Sequence, residues 1–277
     1  MSKKRKIISF AVWLSIVFLL LAAILLTEGT DKHETVREVM RDAVLHDSNK
    51  ISLFGITEVN PGLISAYAVT AILLGAALIL RIFVIPRFRY VPTKLQLLIE
   101  QTVKLFDGLG ESNSPHKHGF LNVYIFGAGV YVFFGTLFEL FGIQVMTAQG
   151  VSVALPAPLS DINAAIAIGC LSYLVIMSGG ISSNGLRGVG RTLKDFSLPV
   201  SMSFRLFGAL LSGLLVTELV YYYSSLSYVL PVVVAVLFTI LHALIQTYVL
   251  TMLTSLFYGE VSEIHKKSKN TKRRQQL

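Results

Sequence analysis

The chain has 277 residues, is 53% hydrophobic and only 14% charged, and has a mean hydropathy of +0.67. Soluble domains average about 25% charged residues, so this composition excludes a water-soluble globule and a disordered chain alike. The single cysteine, Cys170, excludes an internal disulfide and a cysteine-based zinc cluster, and the net charge of +8 matters only through where the charges sit.

A bilayer core takes about 20 mostly apolar residues per helix. Six stretches meet that need, at 7–27, 62–86, 120–147, 162–181, 196–223 and 228–258. Each is apolar nearly all round, which a soluble core helix is not. The expected fold is therefore all-α, a polytopic membrane protein of about six transmembrane helices. The first run follows Lys3, Lys4, Arg5 and Lys6, so it also reads as a signal peptide. It is long for one, and "LAAILLTEG" is a poor cleavage site, so a retained helix is expected. The chain divides into this N-terminal helix (1–27), an acidic amphipathic segment (28–60), the main membrane domain (61–258) and a basic tail (259–277).

The basic residues sort by face. The N-terminus, 81–118, 182–195 and the tail carry 19 of the 24, whereas the opposite face carries four among seven acidic residues. With six crossings the positive-inside rule places both termini in the cytoplasm. The remaining basic residue, Arg205, lies alone inside an apolar helix. Arginine at a helix centre costs ~2.5–3.5 kcal/mol on insertion scales, and it does not shed its proton to escape that cost. It needs an anion, from Glu139, Glu218 or Asp161 in a structural ion pair, or from a partner chain. Glu218, 13 residues on, lies about 220° round and about 20 Å along a straight helix, out of reach of Arg205.

Thr239, His242 and Gln246 follow at offsets of three and four residues, on one stripe of the last helix. A polar stripe usually bonds a neighbouring helix. A titratable histidine one turn from a glutamine also suits a proton relay or the wall of a water path, which Glu218 extends. Glu139 reads equally as an interfacial residue or a channel group. Asp161 follows Pro158 and Ser160 at a helix start, where capping accounts for it. His33, His46, His116 and His118 read as solvated loop residues without metal-site spacing. "GISSNGLRGVG" lacks the strand before it and the GK[ST] after it that a phosphate loop needs. The tail reads as a lipid-attracted topology signal, not a nucleic-acid site. No protease motif is present.

"PVSMSFRLFG", a small-residue helix and then "HALIQTYVLTMLTSLFYGEVSE" resemble subunit a of the F-type ATP synthase membrane sector. Supporting matches are "VPTKLQLLIE" (Pro92, Gln96, Glu100) and "PLSDIN" (Pro158, Asp161, Asn163); the resemblance covers roughly 60–258. It implies a non-catalytic, ion-translocating subunit without cofactor or metal, and two long, steeply tilted last helices. Those helices would lie against a ring of c subunits, with two offset half-channels for protons or sodium ions. The implied partners also include subunit b of the peripheral stalk, the other synthase subunits and lipid. The implied location is the bacterial inner membrane. The family arginine maps to Arg205 and its glutamine to Gln246. Ser212, Thr239, Asp161 and Asn163 are supporting positions. The family's Asn after Arg-Leu-Phe-Gly is Ala209 here, its outer-channel Glu is Leu214, and its His or Glu before the glutamine is Thr239. Glu218 and His242 stand one turn away from those places, which implies a displaced channel pair, and Glu139 stands at a family Asn position. The rival class is a stand-alone secondary transporter with Arg205 binding an anionic substrate, but the inverted repeats usual in such folds are not visible.

Overall fold

The computed structural model describes residues 51–53, 57–116, 119–146, 152–222 and 230–263, with isolated positions between 12 and 41. Most of the expected first helix, the acidic segment up to residue 50, the tail from 264, and His33, His46 and His118 lie outside the described residues. Among the described residues five helices are long and apolar enough to cross a membrane: Pro61–Arg87, Gly119–Phe141, Ile162–Asn184, Ser197–Thr217 and Val232–Ser262. The chain is an all-α, multi-pass membrane protein, as its hydropathy predicts, with two short hairpins among the described residues.

The chain forms two compact units, and each of the five spanning helices contributes to both. The first comprises residues up to Ala71, Phe133–Ala164 and Leu206–Ile245. It begins with an antiparallel pair, β1 (Ile51–Leu53) and β2 (Thr57–Val59), in which Ile51 faces Val59. Helix α1 (Pro61–Ile79) follows. Proline suits its first position, where an N–H has no helical partner. The Asn60 side chain accepts the Gly62 N–H at 3.0 Å. A second pair, β3 (Gln144–Met146) and β4 (Ser152–Ala154), leads into Leu155–Ser160, which is buried throughout.

Helix α3 (Gly119–Phe138), numbered after α2 below, corrects one sequence expectation. The apolar run continues to 147, but the helix tightens into a 3-10 turn at Glu139–Phe141 and stops at Gly142, with φ at +55°. Only glycine takes that conformation without steric cost. Val145 and Met146 therefore belong to β3, not to the span.

The second unit comprises Ile72–Val132, Ala165–Arg205 and the chain from Gln246. Helix α1 runs on through a π turn (Leu80–Val84) and a 3-10 turn (Ile85–Arg87) containing Pro86. Helix α2 (Lys94–Asn113) starts behind Thr93. The Gln96 amide joins helix to turn: it accepts the Arg89 N–H and donates to the Arg89 carbonyl, both at 3.0 Å, and donates to Glu100 at 2.8 Å. That explains the quoted Gln96 and Glu100 in structural terms.

Helix α4 (Ile162–Asn184) approaches α6 (Ser197–Tyr222) at Gly169. A Cβ there would stand 2.9 Å from the Pro199 carbonyl oxygen and closer still to the Ser203 hydroxyl. Between them lies helix α5 (Leu186–Thr192), to whose Thr192 carbonyl the Tyr173 hydroxyl donates at 3.0 Å. The last helix, α7 (Leu230–Ser262), is fixed near its end. Asn113 donates to the Ser255 hydroxyl at 2.8 Å. Asn184 donates to the Val261 carbonyl at 3.0 Å, one of the carbonyls a helix end leaves without a helical partner.

Candidate functional site

Helix α6 has a buried stripe and an exposed one. Met202, Ser203, Leu206 and Leu210 are buried, whereas Val200, Phe204, Arg205, Gly208 and Ser212 are exposed. Arg205 thus stands on the outward face, one turn from Gly208 and two from Ser212. Among the described residues no carboxylate or hydrogen-bond acceptor holds its guanidinium, so the structural ion pair considered from sequence is not seen there. The Ser212 hydroxyl donates to the Ala209 carbonyl at 2.7 Å. Glu218 falls on the same helix, and its side chain lies outside the description.

The polar stripe of α7 turns inward. Thr239 and Gln246 are buried and His242 is half-buried, while Leu237, Ile240, Leu241, Leu244, Ile245 and Tyr248 are exposed. The Gln246 side-chain carbonyl is buried without a hydrogen-bond partner among the described residues. A buried acceptor left unpaired costs about 1–3 kcal/mol, so such an atom is a place for water or a passing proton donor. Gln246 and Arg205 do not hydrogen-bond each other. The structure turns the two side chains different ways: Arg205 is exposed and Gln246 is buried.

Glu139 is half-buried in the turn that ends α3. Asp161 is a structural hub. One carboxylate oxygen accepts the Asn163 N–H at 2.9 Å and the other accepts the Asn60 amide at 3.0 Å. It caps α4 and ties that helix to the start of α1. Asn163 itself is exposed and contributes its backbone. Asp161→Ala is expected to lower the stability of the detergent-solubilised protein by about 1–2 kcal/mol, with Asp161→Asn costing less because it keeps an acceptor. Equal melting temperatures for both variants and the parent would show that the bridge contributes nothing.

Two residues of this neighbourhood are not evident as partners in the sequence. Asn60 precedes Pro61, a helix-start signal, but its bond to Asp161 spans 101 positions. Gly213 of α6 is a bare glycine in a small-residue run, yet His242 packs against it. Among the described residues no group of three or more His, Cys, Asp or Glu is placed to hold a metal. The family model described as ATP synthase A chain matches residues 66–259.

Proposed function

This chain belongs to the ATP synthase A chain family, and we propose that it is the stator against which a ring of c subunits turns. The family is a membrane-sector ion-channel component of the synthase and is not itself catalytic, and this chain takes part in ion translocation within that complex. The finer reading rests on one observation. Arg205 is exposed on an apolar helix and bonded to no described residue. In a bilayer a bare guanidinium is costly, so its outward face is read as covered by a partner that brings a carboxylate.

The mechanism follows from charge. A c-subunit carboxylate arrives protonated and therefore neutral. Next to a fixed guanidinium the ionised form is favoured, so its pKa falls and the proton leaves. In low dielectric that attraction is strong. The carboxylate stays ionised until rotation carries it to the other half-channel, where it takes up a new proton. Arg205 also blocks direct leakage, because a fixed cation repels protons between the two paths. Each proton crossing 100 mV supplies ~2.3 kcal/mol.

Gln246 and His242 line the inward side of this path in the proposal, with Glu218 and Glu139 towards its outer entrance and Thr239 and Ser212 supporting. Helix α7, of 33 residues, is about 50 Å long against a hydrocarbon core of about 30 Å, which supports a steep tilt. The charge distribution supports cytoplasmic termini, and the resemblance to the family supports a bacterial inner membrane. Co-purification tests the assembly: affinity-tagged chain is expected to bring down a c-ring and subunit b with the catalytic head, and recovery as a free small homo-oligomer would overturn it. Glu218→Gln and His242→Ala are each expected to slow ATP-driven proton pumping about tenfold without abolishing it, well below a full general acid–base contribution of about 10²–10⁴. Pumping at the parent rate in both would make the two residues merely structural.

A further inference from the structure

We propose that Gly213 is a positioning residue that fixes where the His242 imidazole sits. The proposal rests on the reading of His242 as a transport group. A Cβ built on Gly213 would lie 3.2 Å from the His242 Nδ1 and 3.3 Å from its Cε1. The imidazole therefore sits in a notch against the bare backbone of α6, closer than a side chain at that point would leave room for without a small shift of the ring. Phe238, one turn earlier on α7, also packs against the ring, with centroids 5.9 Å apart and planes at 65°. That edge-on arrangement is a favourable one for two aromatic rings. Bare backbone and an aromatic ring are thus both packed against the imidazole.

The polar groups nearby leave the ring nitrogens uncommitted. Among the described residues neither has a hydrogen-bond partner. The Gly213 carbonyl is already occupied, because the Thr217 hydroxyl donates to it at 3.0 Å. The notch therefore sets the ring's position without consuming its proton-binding atoms. A histidine placed by packing keeps both ring nitrogens for proton exchange. In this chain the position preceding it by three, Thr239, is buried and non-titratable, so the placement of His242 decides where a proton stops on this stretch of α7.

An added methyl at Gly213 requires the ring to give by a few tenths of an ångström, and valine requires more. In the assembled synthase, in proteoliposomes, Gly213→Ala is expected to slow ATP-driven proton pumping by at least about threefold and Gly213→Val further, in the range of coupling found between residues in contact. The double variant with His242→Ala is expected to pump no more slowly than His242→Ala alone. With histidines labelled in ¹⁵N, Gly213→Ala is expected to shift the ring resonances that vanish in His242→Ala and to leave those of the other five unmoved. Losses that multiply in the double variant, an unmoved His242 resonance, or unchanged pumping in Gly213→Val would overturn the proposal. A parent protein that neither binds a c-ring nor pumps would overturn the functional reading, and this proposal with it. A pumping parent with multiplicative losses overturns this proposal alone.

Discussion

Arg205→Ala is expected to cut ATP synthesis driven by a proton gradient by at least about a hundredfold, the scale on which one preorganised charge acts at a reacting centre. Assembly should survive, because Arg205 makes no bond to any described residue and faces outward from α6. Removing it deletes a cost of membrane insertion rather than a contact. The measurement is ATP synthesis by inverted membranes, with the amount of c-ring recovered through a tag as the control. Synthesis at the parent rate would end the proposed mechanism. Arg205→Lys is a sharper probe. It keeps a cation, but a desolvated lysine releases its proton where arginine does not, so it is expected to restore only a small part of the activity. Full activity would mean that any positive charge suffices.

Gly169→Val is expected to have the next largest effect, through packing. The added side chain meets the Pro199 carbonyl and the Ser203 backbone nitrogen, 2.9 and 3.2 Å from the new Cβ. Neither is a flexible side-chain end, so α4 and α6 must separate. Overpacking of this kind costs about 1–3 kcal/mol. Both the amount of chain in the membrane and the pumping per chain are expected to fall, because the displaced turn of α6 lies just before Arg205. Gly75→Val is the matched control, since a Cβ on Gly75 meets nothing within 4 Å. Equal effects of the two substitutions would show that close approach at Gly169 is not the reason for its glycine.

Hydropathy located the five described spans because the bilayer imposes a length and an apolar composition on each helix. It failed where neither changes. The third span overshoots because Val145 and Met146 are as apolar as the helix before them, and the stop depends on the backbone angle of Gly142. Helix α5 carries no apolar run or period of its own in the sequence, and what seats it is the close approach of Gly188 to the Gly180 backbone. Site chemistry was legible as residue type but not as direction. Arg205 and Gln246 both stand out as polar groups in apolar helices, yet periodicity does not say that one faces outward and the other inward. The notch at Gly213 carries no pattern at all, because its content is the absence of a side chain opposite a residue 29 positions away.

The bond between Asn60 and Asp161 has a consequence for biogenesis. A ribosome adds about 5–20 residues each second, so the 101 positions between the two take roughly 5–20 s to synthesise. Throughout that interval the newly inserted α1 lacks the partner that later anchors its beginning. The clasp closes only once Asp161, at the start of α4, has emerged, so it comes late in the threading of the chain.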